Sequence, residues 1–492
     1  MKEKLQSIVD SRFGQTADKF YNSVWYIIAI GIICIIAHSF NIPITGAAIL
    51  TVLLVPSLIF CKNSFVLVPI MCMAGFVLSY ETKPNRGYFN DAWKISILCV
   101  LAVIIITAIV FNLVYYRKWR LMFKKAYLSI SIAILSGALL VGGIGAPLFS
   151  PMGVLMALAI SIVLFLPYSF LLNCGEYSGR KTIEYFAWTM IVMATVIFAA
   201  VFLQYIRNDF DMTAPKNFLE LGYAISNSAA AIVLITMPIT FYMIYVYKHG
   251  YLFFIAIAME LATIMLTFSR ASIVIALPGT LITAIGLCFK KKKGRIGYYI
   301  ACGIMCAIAI AIMVYYREYI FGEINKFLTG VGTGSGRTPI WKEGFEEWKK
   351  TPIFGIGVWY LPQVNTGHYY HSYHCTPLTY LYCNGIVGLA AYLYHRYKTV
   401  RLTFSAKLTA ERIFAAMSVL VLLLNSLLDI YMSEPLHLVY YSILLALIEC
   451  DVNRTKSESV LQQAVIETEP NGDNSMDVKD GPIENKILKE GE

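Results

Sequence analysis

Apolar runs of roughly 18–23 residues follow one another along nearly the whole chain, parted by short polar links. A run of that length matches the thickness of a bilayer's hydrocarbon layer. In that layer a helix keeps every backbone donor and acceptor paired within itself. The chain is 58% hydrophobic and 14% charged over 492 residues, whereas soluble domains are about a quarter charged. A soluble globular fold is excluded. The expected class is an all-α polytopic membrane protein of about 12–14 transmembrane helices with a large outward-facing loop containing short helices.

The runs start near Tyr21, Ile42, Ser64, Lys94, Phe123, Pro151, Glu184, Tyr223, Gly250, Ala271, Arg295, Cys375, Ala410 and Ser433. Lys2, Lys4, Arg12 and Lys19 precede the first without a cleavage pattern, so that run reads as an anchor. The net charge of +10 sits in alternate links: Lys62, then Arg117 to Lys125, Arg180 and Lys181, Lys248, Lys290 to Arg295, and Arg396 to Lys407. The links between these are neutral, mixed or acidic. The positive-inside rule makes the basic links cytoplasmic, with both termini on that side and the long polar loop, 316–374, on the other. Charge arranged this way serves topology, and no basic groove for nucleic acid is present. Eleven cysteines lie mostly inside apolar runs without paired spacing and act as small hydrophobes. A glycine-rich phosphate loop is also missing, which argues against an ATP-driven pump.

Four regions follow: a cytoplasmic N-terminus (1–20), a helix bundle (21–260), a region with the polar loop (261–450), and an acidic tail (451–492) that reads as disordered. Polar residues concentrate in the third. Arg270 lies between two apolar runs with almost no link, where it either snorkels to headgroups or meets a partner. Arg337 precedes Pro339, and a helix capped by Ser335 or Thr338 is expected from there, with Ile340, Phe345 and Trp348 as its apolar side. Pro352-Ile353-Phe354-Gly355-Ile356-Gly357 reads as a helix stop and turn. His368, His371 and His374 recur at every third position. They fit a zinc site, acid–base chemistry, or headgroup-level packing beside Tyr369, Tyr370 and Tyr373. Asn425, Asp429 and Glu434 close the region, and an intramembrane carboxylate is a functional or ion-pairing candidate.

The order of these features resembles the O-antigen ligase and polymerase superfamily, the lipid-linked-glycan transferases of the WaaL and Wzy type. The resemblance rests on Ser269-Arg270, Gly336-Arg337, Trp341, the Pro352–Gly357 turn, and Leu378, Leu381, Gly385 and Gly388 counted forward from His374. It covers mainly 261–393. The family's Asn after that histidine is Cys375 here, so another hydroxyl or carbonyl must supply its hydrogen bond.

The resemblance implies a cofactor- and metal-independent glycosyltransferase of a bacterial inner membrane. It would transfer glycan from an undecaprenyl-pyrophosphate-linked donor to a sugar hydroxyl, with inversion. Arg270 and Arg337 would bind the pyrophosphate and His374 would act as the base, supported by Trp341, His371 and Asp429. The expected partners are that donor, an acceptor glycan, lipid A core or protein, the bilayer, and chain-length-regulator or flippase proteins. Polymerisation of repeat units is the leading reading and ligation of finished glycan the alternative. A non-enzymatic flippase for the same lipid-linked oligosaccharide is the second alternative.

Overall fold

In the computed structural model the described residues are 11–78, 91–146, 149, 151–211, 218–219, 226–290, 294–315, 317, 337–357 and 373–468. They contain helices and no strand. The helices are α1 (Arg12–Tyr21), α2 (Val24–Ser39), α3 (Pro43–Phe60), α4 (Val68–Leu78), α5 (Ala92–Tyr115), α6 (Ser129–Val141), α7 (Pro151–Cys174) and α8 (Arg180–Arg207). They continue as α9 (Ser226–Val246), α10 (Phe254–Leu266), α11 (Arg270–Lys290), α12 (Arg295–Tyr315), α13 (Arg337–Trp348), α14 (Thr376–Thr403), α15 (Ala410–Ser426) and α16 (Pro435–Thr468). Every apolar run of the sequence becomes one of these helices, and α13 alone belongs to the polar loop. Seven are long and apolar enough to cross a membrane by themselves, or eight if α1 and α2, bent by 66° at their junction, count as one span. The protein is a multi-pass, all-α membrane protein.

Local chemistry marks several helix ends. Pro43, Pro151 and Pro435 open α3, α7 and α16, where a missing N–H costs nothing. Thr409 Oγ1 accepts from the Arg412 amide at 3.2 Å and caps α15.

Helices α9 and α16 form the centre of the bundle, with 89% and 83% of their spans buried, whereas α5 is more hydrophobic yet only 11% buried. A helix apolar on every side fits either environment, and in a bilayer the most hydrophobic one can face lipid. The inner helices instead carry polar side chains that bond to neighbours. Thr236 and Thr240 hydroxyls of α9 both donate to Glu260 Oε1 of α10, at 3.0 and 2.6 Å, and Tyr440 of α16 donates to the Cys72 carbonyl of α4.

The last helix corrects the division at 451. Residues 451–468 are helical, and Asp451 is buried against Arg412, with 2.9 Å between guanidinium and carboxylate. Its polar composition conceals a helical turn that pairs its charges. Residues 469–492 lie outside the described residues.

Candidate functional site

Helix α14 is broken near its start: Gly385 has φ 67° and ψ −164°. The break frees carbonyls and amides in pairs, and the Pro352–Gly357 turn bonds to them. Ile356 N donates to Tyr382 O and Gly357 N to Cys383 O, both at 2.9 Å; Ile386 N donates to Pro352 O at 2.9 Å and Val387 N to Ile353 O at 3.3 Å. The end of α6 joins from the third side, with Gly143 N donating to Phe354 O at 2.7 Å. Glycine is required on both faces of this contact. A Cβ on Gly385 would lie 2.1 Å from Ile353 O, and one on Gly355 would lie 2.5 Å from Tyr382 O. The turn's glycines therefore serve backbone docking into a helix break.

Above the break, α13 packs on the first segment of α14. Trp341 Nε1 donates to Tyr373 O at 2.6 Å, and Tyr382 OH donates to Trp341 O at 3.1 Å. Ile340, Trp348, Leu378 and Leu381 close a small apolar cluster around Tyr373, Tyr382, Cys383 and Ile356. The leucines that carried the resemblance sit here. The described part of this helix runs from Arg337, so Thr338 lies inside it. Its buried side uses Trp341, while Phe345 is exposed.

His374 lies at the junction of this cluster and α14. Its φ of 45° is left-handed, a conformation that costs a non-glycine residue about 1 kcal/mol or more. Such strain persists where surrounding bonds fix it. Here His374 Nδ1 is 3.1 Å from Asp429 Oδ1, and Thr376 Oγ1 donates to Asp429 O at 3.0 Å. Thr376 is one residue beyond Cys375, so its hydroxyl ties this segment to the Asp429 loop. Asp429 is buried, and Oδ1 also accepts from Ile430 N at 3.0 Å. Burial pushes its carboxyl up, but the His374 hydrogen bond and charge, the Ile430 amide and the charge of Arg337 outweigh that. The carboxyl is held below its usual value. An ionised carboxylate only accepts, so the Nδ1 that faces it carries a hydrogen, and in the neutral ring that leaves the lone pair on Nε2. The His374 side chain is 38% exposed, enough to meet a substrate.

Arg337, half-buried at the first position of α13, lies close enough for its charge to act on Asp429, Cys375 and Tyr431. Arg270 opens α11, exposed, and pairs with no described residue. The start of α11 is fixed to the same end of the bundle: Ser269 Oγ donates to Ser272 Oγ at 3.1 Å, and Asn425 of α15 donates to Ser272 Oγ at 3.2 Å, four residues before Asp429. The starts of α11 and α14 and the described start of α13 thus lie at one end of the bundle, with Arg270, His374 and Arg337 beside them. Basic residues at helix N-termini oppose the macrodipole by about 0.3–1 kcal/mol each. Cations and helix dipoles placed together suit an anion bound between them.

The structure therefore brings His374, Asp429, Arg337 and Trp341 together and sets Arg270 at the same end. His371 lies outside the described residues, as do His368, Trp359, Tyr369 and Tyr370. Reading the sequence passed over Tyr431, whose hydroxyl is 3.3 Å from Asp429 Oδ2; one tyrosine among 33 gives no signal. Thr376 was missed for the same reason.

Fold and site together define a polytopic helical membrane protein with a histidine–carboxylate pair within reach of the half-buried Arg337, and with the exposed Arg270 at the same end. Residues 252–393, which run from just before α10 into the second segment of α14, match the family model described as O-antigen ligase. That match supports the O-antigen ligase/polymerase superfamily, to which the motif order is similar. With it come a glycosyl-transfer enzyme class and a lipid-linked glycan substrate in general terms. No curated protein matches the chain.

Proposed function

We propose that this protein is a glycosyltransferase of a bacterial inner membrane that extends a surface glycan at the outer leaflet. The donor is a repeat unit linked to undecaprenyl pyrophosphate. The single observation that carries the reading is the His374–Asp429 pair, set within reach of the Arg337 charge at the end where α11, α13 and α14 begin. The loop charges support a topology with that end outside the cell and both termini in the cytoplasm.

In the reaction an acceptor hydroxyl gives its proton to His374 Nε2 as its oxygen attacks the anomeric carbon. The bond from that carbon to the phosphate oxygen breaks, and the electron pair leaves with the pyrophosphate. Attack from the face opposite the leaving group inverts the anomeric configuration. Asp429 holds the imidazole in the tautomer that can take the proton and stabilises the cation formed. Arg270 and Arg337 meet the charge growing on the pyrophosphate with bidentate, always-ionised donors. Their preorganisation is what lowers the barrier. They fill the role for which nucleotide-sugar enzymes use a divalent cation.

The test is the glycan profile of a deletion strain complemented with Arg270→Ala, Arg337→Ala or His374→Ala. Each variant should insert normally and lose product; unaltered profiles in all three would overturn the reading. The family description favours a second reading, ligation of finished glycan to lipid A core or protein. The same deletion strain separates the two: single repeat units mean a polymerase, and unattached chains of normal length mean a ligase. Activity lost in EDTA and restored by zinc would instead restore the metal reading.

A further inference from the structure

The phenol of Tyr431 has one hydrogen and two acceptors. Asn227 O, on α9, lies 3.2 Å from the hydroxyl and Asp429 Oδ2 lies 3.3 Å from it. The ring is 1% exposed and lies against the imidazole of His437, with ring centroids 4.5 Å apart. His437 is itself fully buried; its Nε2 lies 3.3 Å from Ser228 O, and Glu434 Oε2 lies 2.9 Å from its Nδ1. The two oxygens of Asp429 are therefore divided: Oδ1 serves His374 and Ile430 N, and Oδ2 meets Tyr431.

From this geometry, and resting on the mechanism above, we infer that Tyr431 is a positioning residue. Its hydroxyl regulates the charge that Asp429 presents to His374. With the hydrogen turned to Asp429, charge is drawn onto Oδ2 and away from the His374 side. With it turned to Asn227 O, the full carboxylate charge faces the imidazole, as is wanted when that ring has accepted a proton. The ionisable and charged groups that bear on the pair are His374, Arg337, Glu434 and His437. They come from the start of α13, the segment before α14, the link into α16 and the start of α16, and none of them replaces the bond to Oδ2. Glu434 faces His437 and Ser228.

Tyr431→Phe keeps the ring, its volume and its contact with His437, and removes the hydroxyl alone. The test is a rate–pH profile of the full-length enzyme in liposomes, using the undecaprenyl-pyrophosphate-linked glycan isolated from the deletion strain. Asp429 then holds more charge for the imidazolium, so the acid limb should move to higher pH by roughly half a unit. On the acid side of the profile the turnover number should fall about threefold, as a half-unit shift requires, with the donor KM unchanged. Combined with Asp429→Asn, the substitution should add nothing further, because its effect passes through Asp429. A merely structural tyrosine predicts an unmoved limb for Tyr431→Phe. An unmoved limb, or a full additional loss when the substitution is combined with Asp429→Asn, overturns the inference. His374→Ala with a normal rate would overturn the mechanism and this inference with it. An inactive His374→Ala beside an unmoved Tyr431→Phe profile rejects the inference alone.

Discussion

Asp429 Oδ1 and His374 Nδ1 lie 3.1 Å apart across 55 residues of sequence. The contact joins the end of the polar loop to the link after α15, so the base and the element that orients it come from different parts of the chain. Asp429→Asn keeps the shape but can present an amide to Nδ1, which favours the wrong tautomer. The turnover number should fall by about 10²-fold or more, and His374→Ala by about 10²–10⁴-fold. A radiolabelled-donor assay in membrane vesicles, with both variants matched for protein level, gives the comparison.

The same pair gives a pH dependence whose sign follows from the depressed carboxyl of Asp429. A carboxyl lower in the folded than in the unfolded chain adds stability that is complete above the ordinary carboxylate range. That stability is lost as pH falls through the lower, folded value. The wild type should therefore exceed Asp429→Asn in thermal midpoint at neutral pH. The gap should stay open down to about pH 4 and close below it. Melting in detergent across pH reads it directly; a gap that closes between pH 7 and 5 would show another group at work.

Arginine geometry yields a third expectation. If Arg270 and Arg337 bind a pyrophosphate through forked donors, lysine retains the charge and loses the fork. Alanine at either position should reduce the rate by about 10²–10³-fold, with lysine recovering only part of it. Equal activity of the lysine variants and wild type would reduce the arginines to simple point charges.

Much of the architecture was legible because the bilayer imposes a length: each apolar run from Tyr21 to Ser433 folds as a helix. Arg270, Arg337, His374 and Asp429 stood out because ionisable groups are conspicuous in so apolar a chain. What binds the Pro352–Gly357 turn to the Gly385 break was not legible. The bonds of Ile353, Ile356, Tyr382 and Cys383 are made by backbone atoms, which any residue type could supply. Only the glycines hinted at it, and they read equally well as a loop in solvent. Trp341 was visible as a motif residue, but its acceptor, the carbonyl of Tyr373, was not.

That docking predicts a contrast among glycines. Gly355→Ala and Gly385→Ala force a Cβ to within 2.5 and 2.1 Å of backbone oxygens, at positive φ in both cases. Each should cost about 2 kcal/mol or more and loosen the segment that carries His374. Gly279→Ala and Gly303→Ala, with nothing within 4 Å of the new methyl, should be neutral or stabilising by up to about 1 kcal/mol through helix propensity. Thermal midpoints of the four variants, with activity in parallel, distinguish a docking role from general intolerance of glycine replacement.

Charge burial makes the last prediction, at the foot of α15 and α16. Arg412 and Asp451 side chains are 0% and 1% exposed and 2.9 Å apart. Asp451 further accepts from Thr409 Oγ1 at 2.7 Å and from Arg454 at 2.9 Å, and Arg412 donates to Ala406 O at 3.0 Å. Removing one partner strands the other charge out of water, so Asp451→Asn or Arg412→Met should each destabilise by about 3–5 kcal/mol. Replacing both, with Arg412→Met and Asp451→Leu together, removes the stranded charge and should recover most of that loss. The pair costs desolvation as well as gaining attraction, so the double variant can approach the wild type. It still loses what Thr409 and Arg454 contribute, which keeps recovery incomplete. A double variant as unstable as the sum of the singles would mean that the two side chains act independently, and that the helix after residue 451 is held by something other than their pairing.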